Sequence, residues 1–172
     1  MNRVIYTFDS LGRQYQTCQD LNLNSQVDLS GPDRVSETSQ YYEQTDGDWW
    51  QVSEQKEYRD DGQAHVVAAS RTRLTGLSLA RVSDSLSVNA RGNVTESITA
   101  LDATDARIRT TTTAYPDSTN AAVTLTINGL PVRNTGKDSL IYRQGYDALG
   151  RQVASQAPDG GIASHASHRV RP

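Results

Sequence analysis

FDSLGR at residues 8–13 and YDALGR at residues 146–151 are one hexapeptide written twice, and how it is read decides the fold. The two agree at Asp, Leu, Gly and Arg, with Phe8 exchanged for Tyr146 at the first place. Each letter has a physical use in reversing the chain. The aromatic ring closes a strand and offers a flat surface for packing, and Asp9 or Asp147 opens the turn by accepting bonds from its own backbone two residues on. Gly12 or Gly150 supplies the positive φ that the turn needs. Arg13 or Arg151 then begins the returning strand, within reach of the carboxylate or the ring. Weaker echoes are YRDDGQ at 58–63 and VNARGN at 88–93, so the spacing between copies is loose.

Outward from these turns the dominant period is two. In VTESITAL, 94–101, Val94, Ile98 and Ala100 share a face with Glu96, while Thr95, Ser97 and Thr99 share the other. ARIRTTTTAY, 106–115, alternates in the same way, with Ala106 and Ile108 inward. AVTLTING, 122–129, aligns Val123, Leu125 and Ile127 and ends in Asn128-Gly129, a tight-hairpin signal. WWQVSEQKEY and HVVAASRTRL also read as strands, and further turn signals fall at Asp46-Gly47, Asp60 to Gly62, Arg91-Gly92 and Asp159 to Gly161. The expectation is an all-β antiparallel meander of about ten short strands over residues 1–160. Residues 19–33 are the least patterned and read as a loop or boundary. Residues 161–172 read as a polar, basic, disordered tail.

Composition fits this reading and excludes several functions. Leu, Ile, Val and Phe make up about 19% of the 172 residues, close to the level at which cores thin out. The net charge of −3 leaves the second mark of disorder missing. Eight tyrosines beside a single Phe, with plentiful Ser and Thr, suit half-buried pleated surfaces. There is no basic surplus of the kind nucleic-acid binding requires, no apolar run of membrane-spanning length for insertion, and no export signal in the N-terminal residues. A parent chain would carry any such signal upstream. Cys18 has no partner for an internal disulfide and no basic neighbour in sequence, so it reads as a small half-buried side chain.

At the two hexapeptides the chain resembles the YD-repeat, or RHS-repeat, family of large bacterial proteins, whose relatives include toxin-complex shell subunits and animal teneurins. VNARGNVTESI and TTTTAYPDSTNAAVTLTINGLPV read like the strands between motifs in that family. The resemblance implies a sheet that spirals into a hollow shell, of which this chain is a segment, with further repeats of the same or a parent chain as partners. It also implies an enclosed toxin domain or surface glycans as partners of the whole, and a secreted or cell-surface parent protein. The Pro-rich self-cleavage segment that follows the shell in many toxin members is not found in this sequence, so neither that activity nor a toxin domain is carried over.

No catalytic, cofactor-binding or metal constellation emerges from the residues, and the expectation is a non-enzymatic chain with no cofactor. Asp46 with Asp48, and Asp60 with Asp61, lack the alternating oxygen ligands and closing Glu of a calcium loop. His165 and His168 would need a third ligand from elsewhere, and His65 has no evident partner. GLSLA at 76–80 has Ala80 where a nucleophile elbow needs Gly. Asn93-Val94-Thr95 is a glycosylation triplet only in a eukaryotic secretory route. Trp49-Trp50 resists a purely architectural account. Strand neighbours face opposite ways, so a buried ring at one position exposes the other. With Tyr41, Tyr42 and Tyr58 nearby, the pair offers either an interface contact or the aromatic platform of a carbohydrate- or surface-binding module.

Overall fold

The computed structural model describes residues 3–164. Among them there is no helix, and thirteen strands account for the regular structure. The chain divides into two compact units, Met1–Gly76 with Ser85–Val94, and Leu77–Asp84 with Thr95–Pro172. Each is an antiparallel meander in which strand order follows chain order, as the alternation and the turns predict.

The first unit contains β1 (Arg3–Phe8), β2 (Gln14–Asp20), β3 (Arg34–Thr45), β4 (Asp48–Tyr58), β5 (Ala64–Arg73) and most of β6 (Ser83–Asn89). Its longest hairpin joins β3 to β4 in unbroken register from Val35↔Tyr58 to Thr45↔Asp48. The hairpin is closed by Asp46-Gly47 with both φ angles positive, the two-residue geometry that matches strand twist. A bulge on β5 skips Val67 between the pairs Gln55↔Ala68 and Lys56↔Val66. β3 was the strand least visible in sequence, because VSETSQYYEQT carries few apolar residues to mark a period.

The second unit contains most of β7 (Val94–Leu101), followed by β8 (Ile108–Ala114), β9 (Ala122–Ile127), β10 (Leu130–Thr135), β11 (Ile141–Tyr146), β12 (Gln152–Gln156) and β13 (Ile162–Ser164). One face of β7 and β8 is a hydroxyl ladder. Thr99 and Thr111 share a bond of 2.9 Å, and Ser97 and Thr113 one of 3.2 Å. β8 starts at Ile108, two residues later than the alternation predicts, because Arg107 is drawn into the preceding turn by bonds to Asp105. At the C-terminal end, Ile162–Ser164 of the expected tail pairs with β12. His165, His168 and the rest of that tail lie outside the described residues.

Burial is thin. In the first unit Cys18, Val35 and Val52 are 0, 3 and 1% exposed, and they share one face of the sheet through the register Cys18↔Val35↔Tyr58 and the alternation along β4. Two aspartates are buried with them. Asp20 accepts bonds from the backbone N–H of Asn24 and Ser25, and Asp33 from that of Leu21. These two carboxylates organise residues 21–33, the stretch without hydrophobic pattern, by replacing an apolar anchor with charge-assisted bonds.

Candidate functional sites: the turn motif and two unlike sheet faces

The two hexapeptides adopt one hydrogen-bonding scheme. At the first, Asp9 Oδ1 accepts from the N–H of Leu11 (2.8 Å) and Arg13 (2.9 Å), and Oδ2 from Arg13 Nε (2.8 Å). At the second, Asp147 Oδ1 accepts from Leu149 (2.9 Å) and Arg151 (3.0 Å), and Oδ2 from Arg151 Nε (2.8 Å). The backbone closes identically, with Gly12 N–H donating to Asp9 O and Gly150 N–H to Asp147 O, both at 3.0 Å. Gly12 and Gly150 take φ of 77° and 76°. Bonds from Arg13 lead in holding the Asp9 carboxyl below the usual carboxylate range, and the Arg151 side chain leads in doing the same at Asp147. Phe8 and Tyr146 end β1 and β11, Phe8 exposed and Tyr146 half-buried.

The weaker echoes keep part of this scheme. Asn89 Oδ1 accepts from Arg91 and Asn93 N–H, but Asn93 supplies no cation to close an ion pair. In 58–63 Arg59 stands in the Asp place, and only the backbone bond from Gly62 and a bond from Gln63 N–H to Asp61 survive. A further turn of the same backbone pattern runs from Gly136 to Leu140, with Ser139 at φ 66° where the motif has glycine. Its sequence, GKDSL, carries none of the motif's letters in place, so nothing in the sequence could have found it.

The aromatic residues do not form one cluster. Cross-strand register puts Trp50, Tyr41 and Tyr58 on the face of the first unit that buries Val35 and Val52, and puts Trp49 and Tyr42 on the other. On the first face Arg73 lies over the Trp50 ring, 5.6 Å from its centroid, and is ion-paired to Asp48. Tyr41 donates to Glu54 at 2.9 Å and Tyr58 to Glu37 at 3.1 Å. The bond to Glu54 leads in raising the Tyr41 hydroxyl above its ordinary pKa, and burial leads at Tyr58. Arg71 pairs with Glu43 at 2.7 Å and Lys56 with Glu54 at 3.2 Å, so this face is a lattice of satisfied charges around aromatic rings.

The opposite face differs in kind. From Trp49 to Gln55 along β4, and at the registered positions of β3, β5 and β6, every side chain is aromatic, amide, hydroxyl or alanine. Trp49 and Tyr42 are 46 and 64% exposed there. Farther along β4, at the β5 bulge, lies a groove of about 470 Å³ lined by Ser53, Gln55, Ser70 and Ser87 together with Val67 and Val88 among others.

Cys18 is fully buried, and burial together with a contact to Asp33 pushes its thiol up to about 11, which leaves it a neutral packing group. Among the described residues no three His, Cys, Asp or Glu are placed to hold a metal ion, and no helix is long and apolar enough to cross a membrane. No family model matches the chain, and no curated protein matches it.

Proposed function

We propose that the chain is a non-enzymatic structural segment: a run of YD/RHS-like hairpin repeats that supplies wall to an extended or hollow β-sheet assembly. The observation that carries this reading is the identity of the Asp9 and Asp147 turns, bond for bond, at places 138 residues apart in the chain. Catalytic side chains are positioned to meet a reactant. These side chains instead spend every bond on their own turn, which is what a repeating hinge between strands requires. The thin burial of each unit supports the same reading, since a repeat that cannot bury its own faces gains core from its neighbours. In this reading the partners are further repeats of the same or a parent chain, around an enclosed toxin domain or facing surface glycans, in a secreted or cell-surface parent protein.

The test is a tandem fusion of two full chains. Nearest-neighbour coupling between repeats raises the midpoint of thermal and urea unfolding above that of the single chain and steepens the transition. Two copies that unfold at the midpoint of one, with additive amplitudes, remove the wall reading.

A further inference from the structure

From the chemistry of the uncharged stretch of the Trp49 face of β3–β6 we infer a binding surface for a neutral, extended glycan, running along β4 from Trp49 to the groove at the β5 bulge. This surface is independent of the wall reading, because it depends only on what one face presents.

Along the stretch from Trp49 to Gln55 charge is segregated between the two faces. Glu43, Glu54, Lys56, Arg71, Arg73 and Asp48 occupy the face with Trp50 and are paired among themselves. The other face has no Asp, Glu, Lys or Arg between Trp49 and Gln55 on β4 or at the positions registered to them. A solvated face with no other task carries mixed charge, since ions are the cheapest groups to leave in water. A surface made of amides and hydroxyls matches instead a ligand that is rich in hydroxyl groups and has no charge.

The geometry is that of a strip. Trp49 and Tyr42 are diagonal neighbours across the β3–β4 pair, because Trp49 registers with Gln44 and Tyr42 with Gln51. Two adjacent exposed rings offer an apolar platform for the C–H face of a pyranose, and the rings' polar edges remain wet. Beyond them come two cross-strand rows, Gln51↔Thr72↔Ser85 and Gln40↔Ser53↔Ser70↔Ser87. Each amide brings both donors and an acceptor, and each hydroxyl brings one donor and two lone pairs. The small side chains of the second row form the floor of the groove of about 470 Å³. The six steps of strand from Trp49 to Gln55, at about 3.3 Å each, make about 20 Å, the length of roughly four linked hexoses. An anionic glycan finds no cation along the stretch from Trp49 to Gln55, and Arg34, farther along β3 on the same face, is paired to Asp60, so the strip selects against it.

The full chain is titrated with cellohexaose, xylohexaose and laminarihexaose by calorimetry, and the amide shifts of ¹⁵N-labelled protein are mapped with the hexaose that binds. At least one hexaose binds with Kd below about 1 mM, and the shifts fall on β3–β6 from Trp49 to Gln55. Trp49→Ala and Tyr42→Ala each weaken binding at least tenfold, whereas Tyr41→Phe, on the opposite face, leaves it unchanged. Circular dichroism establishes that each variant keeps its sheet, and the shift map on the unaltered chain decides the matter if one does not. The inference is overturned by no binding to any of the three, by shifts confined to other strands, by affinity untouched in both aromatic variants, or by preference for polygalacturonate. A dimer in sedimentation whose contact shifts cover this face overturns it as well, since a second copy is then the occupant.

Discussion

Asn89 and Asp147 occupy equivalent places in their turns: each side-chain Oδ1 accepts the N–H of the residues two and four positions on, at 2.9 and 3.1 Å for Asn89 and 2.9 and 3.0 Å for Asp147. The two differ in what the second oxygen would do. Asp147 holds Arg151 with it, whereas Asn89 faces Asn93 and has no carboxylate to offer. The turn therefore separates into a backbone-organising part that any Asx residue performs and an ion pair added on top.

That separation orders a set of variants. Asp147→Asn keeps both backbone bonds and lowers the thermal midpoint only slightly. Asp147→Ala removes them and lowers it further, because two turn N–H groups lose their side-chain acceptor. The pair Asn89→Asp with Asn93→Arg rebuilds the full motif in the degenerate copy and raises the midpoint, by an amount that shrinks with added salt. Differential scanning calorimetry reads all three. Equal losses in the two Asp147 variants would show that the ion pair, and not the Asx bonds, holds the turn.

Gly150 has φ of 76°, and an added Cβ would sit 3.6 Å from Leu130 Cδ1, an ordinary contact. Strain from the backbone, not crowding, therefore decides the cost of a side chain there. Gly150→Val is expected to lose about 1–3 kcal/mol. Gln152→Val, at an exposed position of β12, should stay within about 0.5 kcal/mol. Urea unfolding of the two variants measures the difference, and equal midpoints would contradict the positive φ.

Fold class was legible because it rests on two local signals, alternation and turn chemistry, that need no knowledge of tertiary contacts. Gly12, Gly47, Gly62, Gly92, Gly129 and Gly150, each named from a turn signal, take positive φ, whereas Gly160 and Gly161 of the signal at 159–161 do not. What stayed hidden was set by partners distant in sequence. β3 carries a single aliphatic residue, Val35, so its register came from pairing with β2 and β4. The loop at 21–33 is organised by Asp20 and Asp33, whose burial no composition window announces. The separation of Trp49 and Tyr42 from Trp50, Tyr41 and Tyr58 follows from a register that adjacency in sequence only half reveals. It was legible that the two tryptophans face apart, but not which tyrosine joins which.

Acid should weaken the fold through its turn carboxylates, and the sign follows from linkage. Asp105 is lowered to about 2, led by the Arg107 side chain, while Asp9, Asp102, Asp117 and Asp147 are also lowered. A carboxylate with a depressed folded-state pKa contributes stability that is fully present above its unfolded value, near 3.9, and is lost as pH falls through the folded value. In that window the unfolded chain binds more protons. Urea midpoints are expected to hold steady from pH 7 to about pH 5 and to decline between about pH 4 and pH 2. Asp105→Asn should be less stable at neutral pH and show a shallower decline, and an unchanged slope would place the acid sensitivity elsewhere.

Val52 is 1% exposed, although its unit has a single sheet and no second layer among the described residues. Its cross-strand neighbours on that face are Tyr41 on β3 and Arg71 on β5, two side chains long enough to lie over it. Both of those side chains are held in place, Tyr41 by its bond to Glu54 and Arg71 by its pair with Glu43. The polar lattice on this face is therefore part of the hydrophobic burial, with the stems of charged residues acting as apolar cover. Val52→Ala should cost about 2 kcal/mol, as a buried truncation does, whereas Val66→Ala, at 46% exposure on β5, should cost less than about 0.5 kcal/mol. Glu43→Gln loosens the Arg71 cover and is expected to reduce the penalty of Val52→Ala in a double-mutant cycle, because the valine is then already partly wet. Strict additivity of the two substitutions in urea unfolding would show that Val52 is buried by the backbone alone and that the ion pair only decorates the surface.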